Sequence, residues 1–308
     1  MPIEYLTYGQ IDKEKWDRCV AESSNGLIYS SSVYLDQMAV NWHGLVLNDY
    51  EAVMPLPWKK KWGVYYIYPP AFTQQLGISS LTIESKEVVE TFLQAIPKKF
   101  RYLEANLNAN NPVNGNFGMR KNYLLFLDPD YATLQRAYSR SARRNIATAR
   151  VHQIKVLENA SPHDIIQLHR QRFKDDIGSN KNDYTRFLKL INQLNNQGQC
   201  YCITALNEAG QLIAGSIYTL FKNRVTFVMN GNNAESLANG ATHLLMDHSI
   251  RHFCGRPLVL DFEGSDHPDF ARFYAQYGAK PEYYAFVRKN RLPWPLRLLK
   301  PTDQHFPF

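Results

Sequence analysis

A pair of carboxylates stands where the sequence reads DFEGSDHPDFARFYAQYGAKP, from Asp261 onwards. The apolar residues 257–260 before it are typical of a buried strand, and an aromatic-rich helix follows. Glu263, just past the strand end, is expected to be partly desolvated, which favours proton uptake and so predicts a general base. Asp261, two residues earlier, is expected on the same side. The alternative is an ordinary turn in which Ser265 or Asp266 caps the helix and Glu263 stays in solvent.

A basic segment, YATLQRAYSRSARRNIATARV at residues 131–151, is predicted to form one long amphipathic helix. Its arginines fall within an arc of about 120°, opposite an apolar face, and no acidic residue is interleaved. The arginines are Arg136, Arg140, Arg143, Arg144 and Arg150. Like charges on one face repel each other, so we predict phosphate binding, with Arg140, Arg143 and Arg144 as the binding residues. The phosphate would come from tRNA, a nucleotide-linked precursor or CoA. The alternative is a solvated charged face.

Candidate substrate-binding residues occur in the first third of the chain. Trp58 precedes three lysines at positions 59–61, which predicts stacking on a sugar or base beside positive charge. Gln74 and Gln75 offer paired donors and acceptors to a peptide-like substrate. Ser265 is assigned to substrate binding with them. The alternative for residues 58–62 is a simple hairpin tip.

Composition limits the class of protein. The 308 residues are 44% hydrophobic and 20% charged, which is typical of a globular chain able to bury a core. The net charge of +7 suits an anionic partner. Four scattered cysteines do not make a disulfide framework, so we expect a reduced, cytoplasmic environment. No apolar run reaches the length of a membrane span or of a signal peptide. Histidines 243, 248 and 252 lack the HExxH pattern, so no metal site is predicted.

The elements that must position these residues fall into two regions. A turn-rich stretch at residues 106–116, NLNANNPVNGN, predicts a long loop near a domain boundary. Before it, short strands and helices alternate. After it, the periodicity predicts the order β-α-β-α-α-β-β-β-α-β-α-β. The elements used below are strands at 212–221, 224–229 and 258–262, and helices at 239–253 and 269–277.

Several stretches carry a resemblance to a known family. They are MPLPWKKKWG (54–63), YPPAFTQQLG (68–77), DFEGS (261–265) and FYAQYGA (273–279). Together with the element order, they resemble the FemAB-like branch of the GNAT superfamily over residues 3–290. The resemblance implies an α+β fold of two tandem GNAT-like (acyl-CoA N-acyltransferase) domains with mixed sheets flanked by helices. The expected domains are 1–122 and 123–290, followed by a C-terminal tail at 291–308.

The resemblance also implies where an acyl donor binds. GNAT enzymes hold the pyrophosphate of CoA at a helix N-terminus after the fourth strand, where free amide groups and the helix dipole favour an anion. Their sequence pattern is Gln or Arg, then any two residues, then Gly, then any residue, and finally Gly or Ala. In this sequence Leu237 stands at the first, basic position. Gly240 keeps the first glycine, and Thr242 stands at the last position. The expected cofactor-binding residues are Asn230, Asn239, Gly240 and Ala241. The alternative is an ordinary loop with an N-cap at Asn239.

The catalytic acid is implied in the same way. GNAT enzymes carry a tyrosine four residues before a closing glycine, and Tyr274 stands at that distance from Gly278. The asparagine expected seven residues earlier is His267 here. Tyr274 is therefore the candidate general acid, with Glu263 and Asp261 as the other catalytic residues. The alternative for Tyr274 is an aromatic residue that packs on the sheet.

The sequence thus predicts an N-acyltransferase that acts on an amine in a groove between two GNAT-like domains. One alternative is FemAB-type transfer from aminoacyl-tRNA to a peptidoglycan-type precursor, as in the family's better-known members. Another is a non-catalytic GNAT-fold module that binds an anionic ligand. No tightly bound cofactor is expected; acyl-CoA or aminoacyl-tRNA would be the co-substrate. The partners would be a small-molecule or peptide-like amine and, in the second case, tRNA.

Overall fold

The computed structural model describes residues 3–82, 85–114, 117–173, 180–264 and 266–300. The chain forms two compact units, Met1–Arg120 with Tyr283–Phe308, and Lys121–Glu282. The last strand contributes to both units, since its residues from Tyr283 onwards belong to the first. None of the helices in the described ranges is both long and apolar enough to cross a membrane.

Both units contain strands and helices. The strands are β1 (Ile3–Leu6), β2 (Asn41–Leu47), β3 (Ala52–Lys61), β4 (Val64–Ile67), β5 (Ser79–Ser80), β6 (Phe100–Asn106), β7 (Gly118–Phe126), β8 (Lys155–Glu158), β9 (Cys200–Leu206), β10 (Leu212–Phe221), β11 (Arg224–Asn232), β12 (Val259–Asp261) and β13 (Lys280–Asn290). The helices are α1 (Lys13–Glu22), α2 (Ser32–Met38), α3 (Lys86–Ala95), α4 (Tyr131–Arg136), α5 (Arg140–Val151), α6 (Pro162–Arg172), α7 (Lys181–Asn196), α8 (Ala234–Asn239), α9 (Ala241–Phe253) and α10 (Pro268–Ala275). The predicted α+β class, with mixed sheets flanked by helices, is confirmed.

The first unit contains a mixed sheet in the order β1-β2-β3-β4-β6-β13. Among the described strands of this sheet, β4 and β6 pair in parallel and the other neighbours pair antiparallel. One face of α3 is buried through Val89, Phe92 and Leu93, at the i, i+3, i+4 spacing of an amphipathic helix. These side chains join sheet residues such as Leu45 and Leu103 in one core. Ser85 begins the helix by accepting a bond from Val88 N at 3.3 Å.

The second unit contains a sheet in the order β7-β12-β11-β10-β9-β8. Strands β9, β10 and β11 form the predicted antiparallel meander, and the hairpin between β10 and β11 turns at Lys222 and Asn223. Strand β12 is parallel to β11 and antiparallel to β7. Helices α5 and α9 pack together on this core, where α5 buries Ala142, Ile146 and Ala149.

The helix predicted as continuous over residues 131–151 is broken. Residues 131–151 form α4 and α5, because Ser139 adopts an extended conformation, caps α5 by accepting from Ala142 N at 3.1 Å, and donates its own N–H to Gln276 O at 2.8 Å. A local cap thus overrides the helical periodicity, and the basic face predicted for a single helix is divided between α4 and α5.

The helix predicted at 239–253 is confirmed as α9. The loop predicted before it contains a further short helix, α8, which ends at Gly240 with a left-handed φ of 78°.

Candidate active site

The sheet of the second unit splits beyond β12. Strand β12 pairs with β11 over only three residues, from Arg224–Val259 to Thr226–Asp261. Strand β11 continues to Asn232, and no strand of the described residues pairs with its last six residues on the β12 side. In an extended strand about half of the backbone N–H and C=O groups point to that side. The split therefore presents an open edge to which an amide-containing group can add by strand-like hydrogen bonding.

Asp261 ends β12 and holds the turn that follows. Its side chain is only 1% exposed, and one oxygen pairs with the Arg224 guanidinium at 2.5 Å. Its other oxygen accepts the backbone N–H of Glu263 at 2.8 Å. Both oxygens already have partners, so this geometry favours a positioning role for Asp261 over proton transfer.

Glu263 lies in the turn with a left-handed backbone. Its φ is 57°, and Gly264 follows with a φ of 70°. A left-handed conformation costs a non-glycine residue about 1 kcal/mol, and such strain persists where the surroundings fix it. Here the bond from Glu263 N to Asp261 supplies that restraint. Glu263 is also only partly exposed, so it has the position and restricted hydration expected of a general base.

Tyr274 lies beside these carboxylates. It comes from α10, and its ring packs against Phe262 at a centroid distance of 4.7 Å and against Tyr123 at 6.0 Å. Burial and the carboxylates of Glu263 and Asp261 raise the pKa of Tyr274 well above that of an ordinary phenol. The tyrosine is therefore protonated at neutral pH and lies close to the turn. Both properties are required of a residue that donates a hydrogen bond or a proton there.

The neighbouring turn residues serve the helix and the sheet. His267 caps α10, since its Nδ1 accepts from Asp269 N at 3.3 Å. Asp266 accepts the backbone N–H of Lys121 at 3.1 Å, so it does not take the capping position considered for it. Ser265, assigned to substrate binding, lies outside the described residues.

Two charged residues of this site were missed by the sequence reasoning. Arg224 begins β11, and Glu282 lies in β13, where its carboxylate accepts from Asn122 Nδ2 at 3.2 Å. Burial is the main cause that raises the pKa of Glu282, while Arg224 and the Asn122 bond partly offset it. In the sequence, the only indication of a role for either residue is that it is charged within an otherwise strand-like segment. The strand pairing that joins them to Asp261 is not visible in local sequence.

The loop expected to hold the donor pyrophosphate is packed against the protein. Asn239 Oδ1 accepts from Ala241 N at 3.1 Å, so the first amide of α9 is already capped. A Cβ on Gly240 would overlap the backbone carbonyl of Asn145, which shows how closely α5 approaches. Ala241 is fully buried. Leu237, at the family's basic position, is 52% exposed and carries no charge. The packed helix start therefore offers little room for an anion.

His243, one turn into α9, adds no positive charge there. Its Nδ1 lies 2.7 Å from Tyr277 Oη, and its Nε2 lies 3.2 Å from Asn145 Nδ2. Burial lowers the pKa of His243 to about 4, so the ring is neutral at pH 7. A neutral histidine bonded on both sides reinforces the contact between α9 and α5.

Asn230, the remaining residue of the expected cofactor set, lies on the open edge of β11. Its Nδ2 donates to Ser216 Oγ at 3.2 Å, and its Oδ1 accepts from Asn232 Nδ2 at 2.7 Å. Asn232 Oδ1 is buried and has no hydrogen-bond partner among the described residues. A buried acceptor without a partner is costly, so this oxygen is a candidate to receive an N–H of a bound molecule.

The substrate residues predicted in the first unit serve mainly its internal packing. Gln75 is buried; its Nε2 donates to Gln74 Oε1 at 2.7 Å, and its Oε1 accepts from Ala109 N at 2.8 Å. Trp58 packs edge-on to His43 at 5.2 Å. The Trp58 Nε1 is buried and without a hydrogen-bond partner in the ranges that the structure describes. Of the three, Trp58 retains an unused polar group.

The predicted anion-binding arginines differ from one another. Arg140 and Arg144 are exposed and make no ion pair within the described residues. Arg143 instead donates to two backbone carbonyls of α4, Arg136 O at 2.8 Å and Gln135 O at 3.3 Å. These bonds fix the position of its guanidinium beside α4.

Comparison with known proteins gives the class of this chain. Residues 134–277 match the family described as acetyltransferase (GNAT) domain. No curated protein matches the sequence. The fold is similar to that of FemX, with a TM-score of 0.65 and 12% identity, covering 97% of this chain and 99% of that one.

Two further solved structures share the fold. One is a tandem GNAT protein from the clavulanic acid biosynthesis pathway, with a TM-score of 0.55 and 12% identity, covering 95% of this chain and 99% of that one. The other is L-PGS from Bacillus licheniformis, with a TM-score of 0.51 and 11% identity, covering 94% of both chains. The protein is thus an acyltransferase. Residues 134–277 match the GNAT acetyltransferase domain, and the fold of the chain is similar to that of FemX and of the tandem GNAT protein.

Proposed function

We propose that this protein transfers an acyl group to an amine at the split between β11 and β12. The observation that carries the proposal is the turn at the end of that split, where Asp261 holds Glu263 in a left-handed conformation. The open backbone edge of β11 and the buried, unpartnered Asn232 Oδ1 lie on the strand beside it. Together they supply a base, an edge for an amide-containing substrate and an acceptor for an N–H group.

The proposed step needs three functions from these residues. The amine nitrogen attacks the acyl carbonyl carbon, and its surplus proton passes to the Glu263 carboxylate. Unpaired backbone N–H groups of β11 stabilise the oxyanion of the tetrahedral intermediate. The bond from the carbonyl carbon to the leaving sulfur or oxygen then breaks, and Tyr274 donates a proton to the leaving atom. Burial keeps Tyr274 protonated for that purpose, and Asp261 with Arg224 keeps the turn in place.

For the donor, we propose an aminoacyl ester of tRNA in preference to acyl-CoA. The packed start of α9 supports this choice, because Asn239 caps Ala241 N and α5 covers Gly240. The resemblance to FemAB-like proteins, whose better-known members use aminoacyl-tRNA, supports it as well. The acceptor would then be the amine of a peptide-like precursor. Acyl-CoA remains the alternative donor, held without the usual pyrophosphate contact.

Titration of the protein with acetyl-CoA, a long-chain acyl-CoA and aminoacyl-tRNA tests the proposal. We expect aminoacyl-tRNA to bind and both CoA esters to bind weakly or not at all. Deacylated tRNA is the control for recognition of the aminoacyl group. Tight binding of acetyl-CoA would overturn the donor assignment but not the acyl-transfer site. Failure of every donor to bind would favour a non-catalytic module instead.

A further inference from the structure

A second concave site lies along α5, beside its buried face. The break at Ser139 sets α4 and α5 against each other around a cavity of about 300 Å³. Its lining includes Gln135, Arg136, Tyr138, Arg143, Ile146 and Arg150. Three of these residues are arginines, and no carboxylate lines the cavity among the described residues. The arginines come from both helices, so the cavity exists only because the predicted single helix is broken.

Each of the three guanidinium groups is held in position by the protein. Arg143 donates to the carbonyls of Gln135 and Arg136. Arg136 donates from Nη2 to Thr133 Oγ1 at 2.8 Å. Arg150 donates from Nη2 to the buried Asp247 carboxylate at 3.3 Å. These bonds leave other N–H groups of each guanidinium unused, because every guanidinium has five donors.

The charge of the cavity is only partly compensated, by Asp247 at Arg150 and by the exposed Asp130 near Arg136. Asp247 offsets one arginine, and its other oxygen accepts from Tyr131 Oη at 2.7 Å. Arg136 and Arg143 make no ion pair among the described residues. Like charges held close together repel and are stabilised by a bound anion. Arginine donors match the oxygens of phosphate in a forked geometry.

The geometry points to a phosphate-binding pocket formed by Arg136, Arg143 and Arg150, which takes a phosphate ester. The volume of the cavity admits a phosphate together with part of the group that carries it. Arg140 and Arg144 are not part of its lining, so the pocket differs from the face expected from helical periodicity. It is formed without any residue of the Asp261–Glu263 turn. The assignment therefore does not depend on the proposed acyl transfer.

Calorimetric titration with inorganic pyrophosphate tests the pocket. The variants are Arg136→Ala and Arg143→Ala, and the matched control is Arg144→Ala, an exposed neighbour on the same helix. Removal of one charged donor should weaken pyrophosphate binding about tenfold, whereas the control should stay within about twofold. Arg143→Lys should give an intermediate loss, because lysine keeps the charge but not the forked donors. Circular dichroism and thermal melting of each variant check that the fold is kept.

Parallel titrations identify what carries the phosphate. If the ligand is a small nucleotide, 5′-AMP should show the same loss in both pocket variants. If it is RNA, a short single-stranded RNA should show the loss together with a steep dependence on salt. The assignment is overturned if the wild-type protein binds no phosphate probe, or if Arg144→Ala weakens binding as much as the pocket variants do. Equal losses would mean a diffuse charged surface without a pocket.

Discussion

The turn after β12 and the loop before α9 follow neighbouring parallel strands of the second unit, yet they differ in construction. The turn keeps a strained Glu263 beside the ion pair between the buried Asp261 and Arg224. The loop is filled, because α5 approaches the backbone of Gly240 and Asn239 caps the next helix. The segment after β12 therefore contains charged residues and a strained backbone, whereas the segment after β11 is closely packed.

This difference separates two functions that GNAT enzymes are expected to combine. A base for amine chemistry needs charge and partial exposure, which Glu263 in the turn retains. A pyrophosphate cradle needs free amide groups, and two amides here already bond within the protein, Gly240 N to Ser236 O and Ala241 N to Asn239 Oδ1. This difference supports the proposed function, in which acyl transfer takes place at the turn and the donor binds away from the start of α9.

The largest expected effect is at the turn. Glu263→Gln keeps the shape of the side chain but cannot accept a proton, so kcat should fall by about two to three orders of magnitude. Steady-state transfer assays with the donor that binds would measure it. Asp269→Asn, which changes an exposed carboxylate on α10, is the control and should leave kcat nearly unchanged. Near-normal activity of Glu263→Gln would place the base at another residue.

The packing of the loop is tested by Gly240→Ala. The new Cβ would meet the Asn145 carbonyl while φ stays at 78°, so the free energy of unfolding should fall by about 3 kcal/mol. Gly210→Ala is the control: it has a φ of 76° but open space around its Cβ, and it should cost only about 1 kcal/mol. Urea denaturation measures both values. Equal losses for the two variants would mean that α5 does not cover the loop.

The contact between α9 and α5 should depend on pH through His243. Its pKa is about 4 in the folded protein and about 6.5 in the unfolded chain, so the unfolded chain binds more protons between these values. Its stabilising contribution is therefore complete above pH 6.5 and is lost as the pH falls through 4. Denaturation at pH 7.5 and 4.5 should show wild-type protein losing about 2 kcal/mol more than His243→Gln. An identical pH dependence of the two proteins would contradict this role.

The smallest expected effect is that of Tyr274→Phe. The ring keeps its packing on Phe262, but the hydroxyl donor is lost, so kcat should fall about tenfold with little change in KM. Tyr123→Phe is the matched control, since Tyr123 contacts the same ring. A change confined to KM, or an equal loss in the control, would argue for a packing role of Tyr274 alone.

Local patterns predicted much of the fold and part of the site. The meander of β9, β10 and β11 and the strand before Asp261 were found from alternation and turn residues. The single helix predicted at 131–151 was wrong, because the cap at Ser139 overrides periodicity. The partners of Asp261 were missed, because Arg224 lies 37 positions away in the chain and reaches it only through strand pairing.

The sequence by itself determined the residue types at the turn, the excess of arginine in residues 131–151 and the order of elements, because these depend on neighbours along the chain. Tertiary structure decided which of those residues meet. The Asn145 carbonyl packs against Gly240, and Arg136, Arg143 and Arg150 line one cavity. The physical reason is that close packing and ion pairing depend on distances between remote segments, and packing of the whole unit fixes those distances.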